Sequence, residues 1–184
     1  MMKKNLVLVS MASVAALLVA GLTGAFGASS SPTVYASRLA GIQGAGGSGI
    51  QIQNLDASLD AQITADFYNQ KGNPAVTIPL PNVAAGSAAN IYMPLTPALQ
   101  NGAYAAIISA DRQIAAIART DWGTSGGAAI YSNVIPGNEV SVPLAAKGYV
   151  GQTTLVSIQN TDTSQQATVS VELYVPGSTS ALVT

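Results

Sequence analysis

The chain has 184 residues, 48% hydrophobic and only 8% charged, with seven basic against eight acidic side chains. Its Lys and Arg residues are scattered rather than gathered into a stripe, which excludes the electrostatic footprint of a nucleic-acid-binding protein. Histidine and cysteine are both absent. That removes Ser–His and Cys–His nucleophile pairs, the usual zinc sites and any disulfide.

Lys3 and Lys4 precede an apolar run over 6–27, interrupted only by Ser10, Ser13 and Thr23. A short basic region, an apolar region and then small residues predict a secretory signal peptide over 1–27. Cleavage is expected after Gly27 or Ala28, with Ala36 a more distant candidate. The competing reading is a retained membrane span, since a run of 22 residues is long enough for a bilayer core of about 30 Å. The Ala, Gly and Ser content and the small-residue ending favour the signal peptide, and with no cysteine there is no lipid attachment through a lipobox cysteine. The expected location is extracellular or on the cell surface, with no membrane contact after cleavage. What remains carries five basic residues (Arg38, Lys71, Arg112, Arg119, Lys147) and eight acidic ones, a net charge of −3. So few charges leave Ser, Thr, Asn, Gln and Gly to supply the exposed surface.

Residues 28–48 are small, Ser/Gly-rich and without period, and read as a lead-in or linker. Beyond Gly49 the pattern alternates. Ile50 and Ile52 alternate with Gln51 and Gln53; Ile63, Ala65 and Phe67 with Gln62, Thr64 and Asp66. Val76, Ile78 and Leu80, then Ile91, Met93 and Leu95, then Val140, Val142 and Leu144 continue the series. A period of two predicts strands buried on one face. Turn clusters punctuate them at 69–73, 85–87, 100–102 and 135–138. Pro79, Pro81, Pro94 and Pro143 lack a ladder donor and belong at sheet edges or bulges. The alanine-rich stretch 103–119 is ambiguous. Helix propensity suits it, but adjacent apolar residues such as Ile107 and Ile108 favour two central strands joined at Asp111-Arg112.

Part of this pattern is written twice. Residues 50–68 and 156–174 align at an offset of 106 with seven identities in nineteen positions, among them Gln53/Gln159, Asn54/Asn160, Asp56/Asp162 and Ser58/Ser164. A period the size of a small domain indicates a tandem array of modules. The expectation is an all-β chain of antiparallel Ig-like β-sandwich type. One complete module would span 49–147, and 148–184 would hold the first strands of a second, truncated copy. Either the chain is a fragment of a longer protein, the favoured reading, or another subunit supplies the missing strands.

No catalytic, cofactor-binding or metal-ligating residue emerges. Asp56, Asp60 and Asp66 are the nearest carboxylate group for glycoside hydrolysis, but nothing in their spacing aims them at one cleft, and they read as turn and surface carboxylates. The Gln-Asn-x-Asp motif offers oxygens for calcium through Asn54/Asp56 and Asn160/Asp162. Its alternative is a turn in which Asn and Asp accept backbone hydrogen bonds, and the absence of an acidic linker favours the turn. The Gly-rich pieces 44–47 and 123–127 lack the strand, helix and Lys-Ser/Thr context of a phosphate loop. Trp122 and the tyrosines Tyr68, Tyr92, Tyr104, Tyr131, Tyr149 and Tyr174 are assigned to packing rather than to sugar stacking.

The paired segments 50–68 and 156–174, with Ile107–Ile117 residues IISADRQIAAI, the piece AIYSN at 129–133 and VPLAAK at 142–147, resemble a tandem sandwich repeat. Such repeats occur in secreted and surface proteins of Chloroflexi-type bacteria. The resemblance implies an Ig-like or related sandwich and carries over no catalytic residues. The expected function is a non-catalytic stalk, spacer or coat component, with neighbouring repeats or other surface components as partners and self-association open. A donor-strand filament subunit and a carbohydrate-binding module are the alternatives.

Overall fold

The computed structural model describes residues 31–41, 46–121, 128–132, 136–142 and 145–183. The signal-peptide assignment, Trp122, the 123–127 loop, and Pro143 with Leu144 lie outside the described residues. The chain divides at Ile135/Pro136 into two units.

Unit 1 is all-β and antiparallel, as its alternating sequence predicts. Its strands are β1 (Ser31–Gly41), β2 (Gly47–Asn54), β3 (Ala61–Asn69), β4 (Pro74–Val83), β5 (Ala88–Tyr92), β6 (Gly102–Asp121) and β7 (Ala128–Ser132), with one 3-10 turn, η1 (Met93–Leu95). They join in one sheet of order β4-β3-β6-β2-β5, and β1 and β7 also pair with β6. Strand β6 is the hub. Its first half pairs with β3 from Tyr104 to Ala110, its second half with β2 from Ile114 to Asp121. Side chains of one parity point inward along its whole length: Ala106, Ile108, Ile114, Ala116, Ala118 and Thr120 are buried.

The paths of β1 and β2 require β6 to curl. The end of β1 lies beside the start of β6 (Gly41 opposite Gly102), while the start of β2 lies beside its end (Gly47 opposite Asp121). A straight strand of that length would reach roughly 60 Å, whereas the link from Gly41 to Gly47 spans about 20 Å at full stretch. Only a strongly coiled β6 brings its two ends within reach of so short a connection. A hydrogen-bonded junction holds them there. The Ala40 amide donates to Ser48 Oγ at 2.7 Å, and Ser48 Oγ lies 2.6 Å from Thr120 Oγ1, with both hydroxyl residues buried.

The core is filled from the inward faces by Val34, Leu39, Ile50, Ile52, Ile63, Phe67, Ile91, Met93, Ile108 and Ile114, with alanines between them. Large side chains face small ones across the ladders: Ile50 and Ile52 oppose Ala118 and Ala116, and Phe67 opposes Ala106. This alternation lets curved strands approach without voids.

Three sequence expectations for unit 1 need correction. Residues 31–41 are not a lead-in but β1, which buries Val34, Ala36 and Leu39. Their period is hidden by a bulge between Ala36 and Leu39, which switches the inward parity from even to odd. The 103–119 stretch is neither a helix nor two strands joined at Asp111-Arg112; it is one continuous strand, and that pair marks where β6 exchanges β3 for β2. Leu95 does not continue the inward series. Strand β5 ends at Tyr92, and η1 turns Leu95 outward to 79% exposure. The proline assignment holds for β4, which among the described residues pairs only with β3 and carries Pro79 and Pro81 beside an irregular register and a positive φ of 58° at Asn82.

Unit 2 contains two short hairpins, β8 (Lys147–Tyr149) with β9 (Gln152–Thr153) and β10 (Leu173–Tyr174) with β11 (Ala181–Val183). Val140 and Val142, expected on a strand's inner face, are exposed and outside any strand.

A Cβ on Gly41 would stand 2.8 Å from the Gln100 carbonyl oxygen, so β1 fits against the entry to β6 only without a side chain there. Gly41→Ala is expected to destabilise unit 1 by about 1–3 kcal/mol through the forced backbone shift. A chemical-denaturation midpoint unchanged from the parent would contradict this.

Candidate functional site

The most elaborate polar structure in unit 1 is the loop joining β2 to β3, built on Asn54, Asp56 and Ser58. Asn54 ends β2 fully buried, and its amide Nδ2 donates to the carbonyls of Leu59 at 2.8 Å, Val83 at 3.0 Å and Ala84 at 3.3 Å. Its Oδ1 accepts the Asp56 amide at 3.0 Å. Asp56 Oδ1 then accepts the Ser58 amide at 2.9 Å, the Ser58 hydroxyl at 3.2 Å and the Leu59 amide at 3.0 Å. The backbone seals the loop on both sides: the Leu55 amide donates to the Gln113 carbonyl of β6, and the Gly86 amide to that of Asp56. Asn54 thus ties β2, its own loop and the end of β4 together, which explains a fully buried amide beside an apolar core.

The electrostatics follow from this geometry. Backbone N–H groups of Ser58 and Leu59 hold the Asp56 carboxyl below its ordinary range, assisted by the Ser58 hydroxyl and Arg112. Arg112 Nε stands 3.8 Å from Asp56 Oδ2. The donors converge on Asn54 Oδ1 and Asp56 Oδ1, so both oxygens serve the turn.

The same loop is built again in unit 2. Asn160 Oδ1 accepts the Asp162 amide at 3.1 Å, and Asp162 Oδ1 accepts the Ser164 amide, the Ser164 hydroxyl and the Gln165 amide at 2.8, 2.7 and 3.0 Å. Asn160 Nδ2 donates to the Gln165 carbonyl at 2.7 Å, matching Asn54 and Leu59. Asp162 is held below its ordinary range by the Ser164 hydroxyl first, then by the Ser164 and Gln165 amides. What Asn160 lacks among the described residues is any counterpart of the Val83 and Ala84 carbonyls.

Two further correspondences lie outside the segments aligned by sequence. The Ala146 amide donates to Thr154 Oγ1 at 3.0 Å, as the Ala40 amide does to Ser48 Oγ, at the same offset of 106. The β10–β11 register, with Leu173 opposite Val183 and Tyr174 opposite Ala181, copies Phe67 opposite Val76 and Tyr68 opposite Pro74, including the irregularity between the two pairs. The fit needs one residue inserted between Tyr174 and Ala181 relative to the stretch from Tyr68 to Pro74. The signal for the first of these was a hydroxyl residue at the same place in both segments, after a Gly-containing stretch. Ser against Thr and Ala against Ala score too low to stand out.

The other candidate residues do not converge. Asp66 accepts the Thr77 hydroxyl at 2.6 Å across the β3–β4 ladder, while Asp56 belongs to its turn. Among the described residues no three His, Cys, Asp or Glu side chains are grouped to hold a metal ion. Tyr104 and Tyr131 pack against the core, and burial raises the Tyr131 phenol above its ordinary range while its hydroxyl donates to the Arg38 carbonyl. Tyr149 and Tyr174 are exposed. A shallow, mostly apolar crevice lined by Tyr35, Ile50, Ile108, Ala118 and Tyr131 opens beside β7.

No family model and no curated protein matches the chain. Among solved structures, the crystal structure of Thermotoga maritima 1070 is similar with a TM-score of 0.48 at 10% identity, covering 55% of this chain and 91% of that one. A likeness of that size carries no argument, and the strand arrangement rests on this chain's own ladders.

Removing the amide should separate the two loops. Asn54→Ala strands three carbonyls, two of them on the β4 side, and is expected to cost unit 1 about 1–3 kcal/mol. Asn160→Ala, at an exposed loop, is expected to stay within about 0.5 kcal/mol. Equal effects on the main melting transition would refute this assignment of roles.

Acid provides a second check. Because the folded carboxyls titrate below the unfolded value of 3.8, their contribution is present above that value and lost as pH falls through the lower folded one. Melting temperature is therefore expected to decline below about pH 4. Asp56→Asn keeps an acceptor oxygen but cannot titrate, so it should flatten part of that decline in a series of melts from pH 7 to pH 2.

Proposed function

We propose that the chain is a non-catalytic structural protein of the secreted or cell-surface kind, built from related β modules and acting as a stalk, spacer or coat component. The observation that carries this reading is the recurrence of one hydrogen-bonded loop, donor for donor, at a constant offset of 106. A loop whose carboxylate is spent on capping its own turn is scaffolding, and repeating scaffolding lengthens a protein without adding chemistry. The composition supports it as well: a chain without histidine or cysteine lacks the commonest nucleophile activators and soft ligands.

Export is part of the proposal, and β1 narrows where a leader can be cut. Val34 and Ala36 are core residues, so removal after Ala36 would take away inward-facing side chains of β1, whereas removal after Gly27 or Ala28 leaves the strand whole. N-terminal sequencing of protein recovered from the outside of intact cells is expected to begin at Ala28 or Ser29. Protein found only in the cytosol with its first residues intact would overturn the reading. The same preparation, titrated with calcium, should melt at an unchanged temperature.

A further inference from the structure

The apolar pattern of unit 2 matches that of unit 1, but its environment does not. Ile52 is fully buried while its counterpart Ile158 is 56% exposed, and Ile63 is 2% exposed where Val169 is 54%. Val156, Val171 and Leu173 stand exposed in the places of Ile50, Ala65 and Phe67. At the same offset Val140 and Val142 correspond to Val34 and Ala36 of β1, again exposed against buried. The local turn, the Ala146–Thr154 bond and the β10–β11 register are formed. Residues 154–172, which hold the counterparts of β2 and most of β3, take no part in a strand ladder.

Unit 1 specifies what covers such a face. All three counterpart strands, β1, β2 and β3, pair antiparallel with one strand, β6. The pairing is complementary in size. Opposite Ile50, Ile52 and Asn54 stand Ala118, Ala116 and Ile114; opposite Ile63, Ala65 and Phe67 stand Ala110, Ile108 and Ala106.

We propose that the face carrying Val140, Val142, Val156, Ile158, Val169, Val171 and Leu173 is a strand-acceptor surface. Its occupant is one long antiparallel β-strand with the alternation of β6, supplied by a further module of this kind. The inference rests on the modular reading above. The incoming strand lays small residues against Val156 and Ile158 and a large one against Asn160. On the other arm it lays small, large and small residues against Val169, Val171 and Leu173. The seven named side chains are all apolar, so recognition comes from the backbone ladder and this size pattern, the mode of strand addition.

The probe is a synthetic peptide of residues 102–121 with two lysines appended for solubility, added to the full chain and followed by backbone hydrogen exchange. Exchange over 156–174 is expected to slow at least tenfold, and Ile158→Asp with Val169→Asp is expected to abolish the slowing while leaving unit 1 exchange as in the parent. Both substitutions lie on exposed side chains, so loss of unit 1 folding does not confuse the result. No slowing would overturn the proposal, as would equal slowing by a scrambled peptide or slowing confined to unit 1. Protection of 156–174 in a self-associated chain without peptide would overturn it in favour of a second copy as the occupant. Cell-surface exposure is read independently, so a failed peptide would leave the structural role standing.

Discussion

The architecture depends on bringing the two ends of β6 together. A strand of that length has no reason of its own to coil so tightly, and the right-handed twist of strands supplies only part of the bend. The rest comes from the junction of Ala40, Ser48 and Thr120, where one buried hydroxyl satisfies a backbone amide of β1 and meets the hydroxyl of β6. Gly41 makes room for the approach. Once the ends are held, the inward parity of β6 wraps around a single interior, and β1, β2 and β3 are forced to bury their apolar faces against it. The edge strands β4 and β5 then need only local ladders.

Related segments in two settings separate local from tertiary determinants. The Asn-x-Asp-x-Ser turn forms alike whether its asparagine is buried (Asn54) or exposed (Asn160), because the bonds that define it run between residues at most five apart. Strand formation behaves differently. Ile50, Ile52, Ile63 and Phe67 lie in strands because β6 provides both ladder groups and apolar cover, whereas 156–160 and 167–172 have neither among the described residues and form no ladder. Side-chain capping is encoded within a few residues; sheet structure is encoded only when a partner strand is at hand.

This division accounts for what could be read in advance. The alternation at β2, β3 and β4 was legible because one parity faces inward over most of each strand, as Val76, Ile78 and Leu80 do in β4, and the turns because Asn, Asp and Gly have local reasons to be there. The β2–β3 loop was legible as a turn from Asn54 and Asp56 alone. Strand β1 was not, because its bulge breaks the period and small residues such as Ala36 and Ala40 carry little hydropathy signal. Nor was the continuity of β6 evident. Asp111 and Arg112 look like a turn, but in the fold they occupy a gap between two partner strands, where Asp111 accepts the Gln62 amide and Arg112 approaches Asp56. The Ser48 junction is invisible to any local reading, since its partners are 8 and 72 residues away.

The distance in sequence between β1 and its partner has a consequence for biogenesis. Val34 lies against Ile108 and Ser31 against Ile114, so during synthesis β1 must wait for more than seventy further residues before it can be covered. Neighbouring hairpins such as β3–β4 can close early, but the interior cannot. Topology of this sort makes folding slow and late, because the interior closes only once β6, the long strand that β1, β2 and β3 all need, has been made.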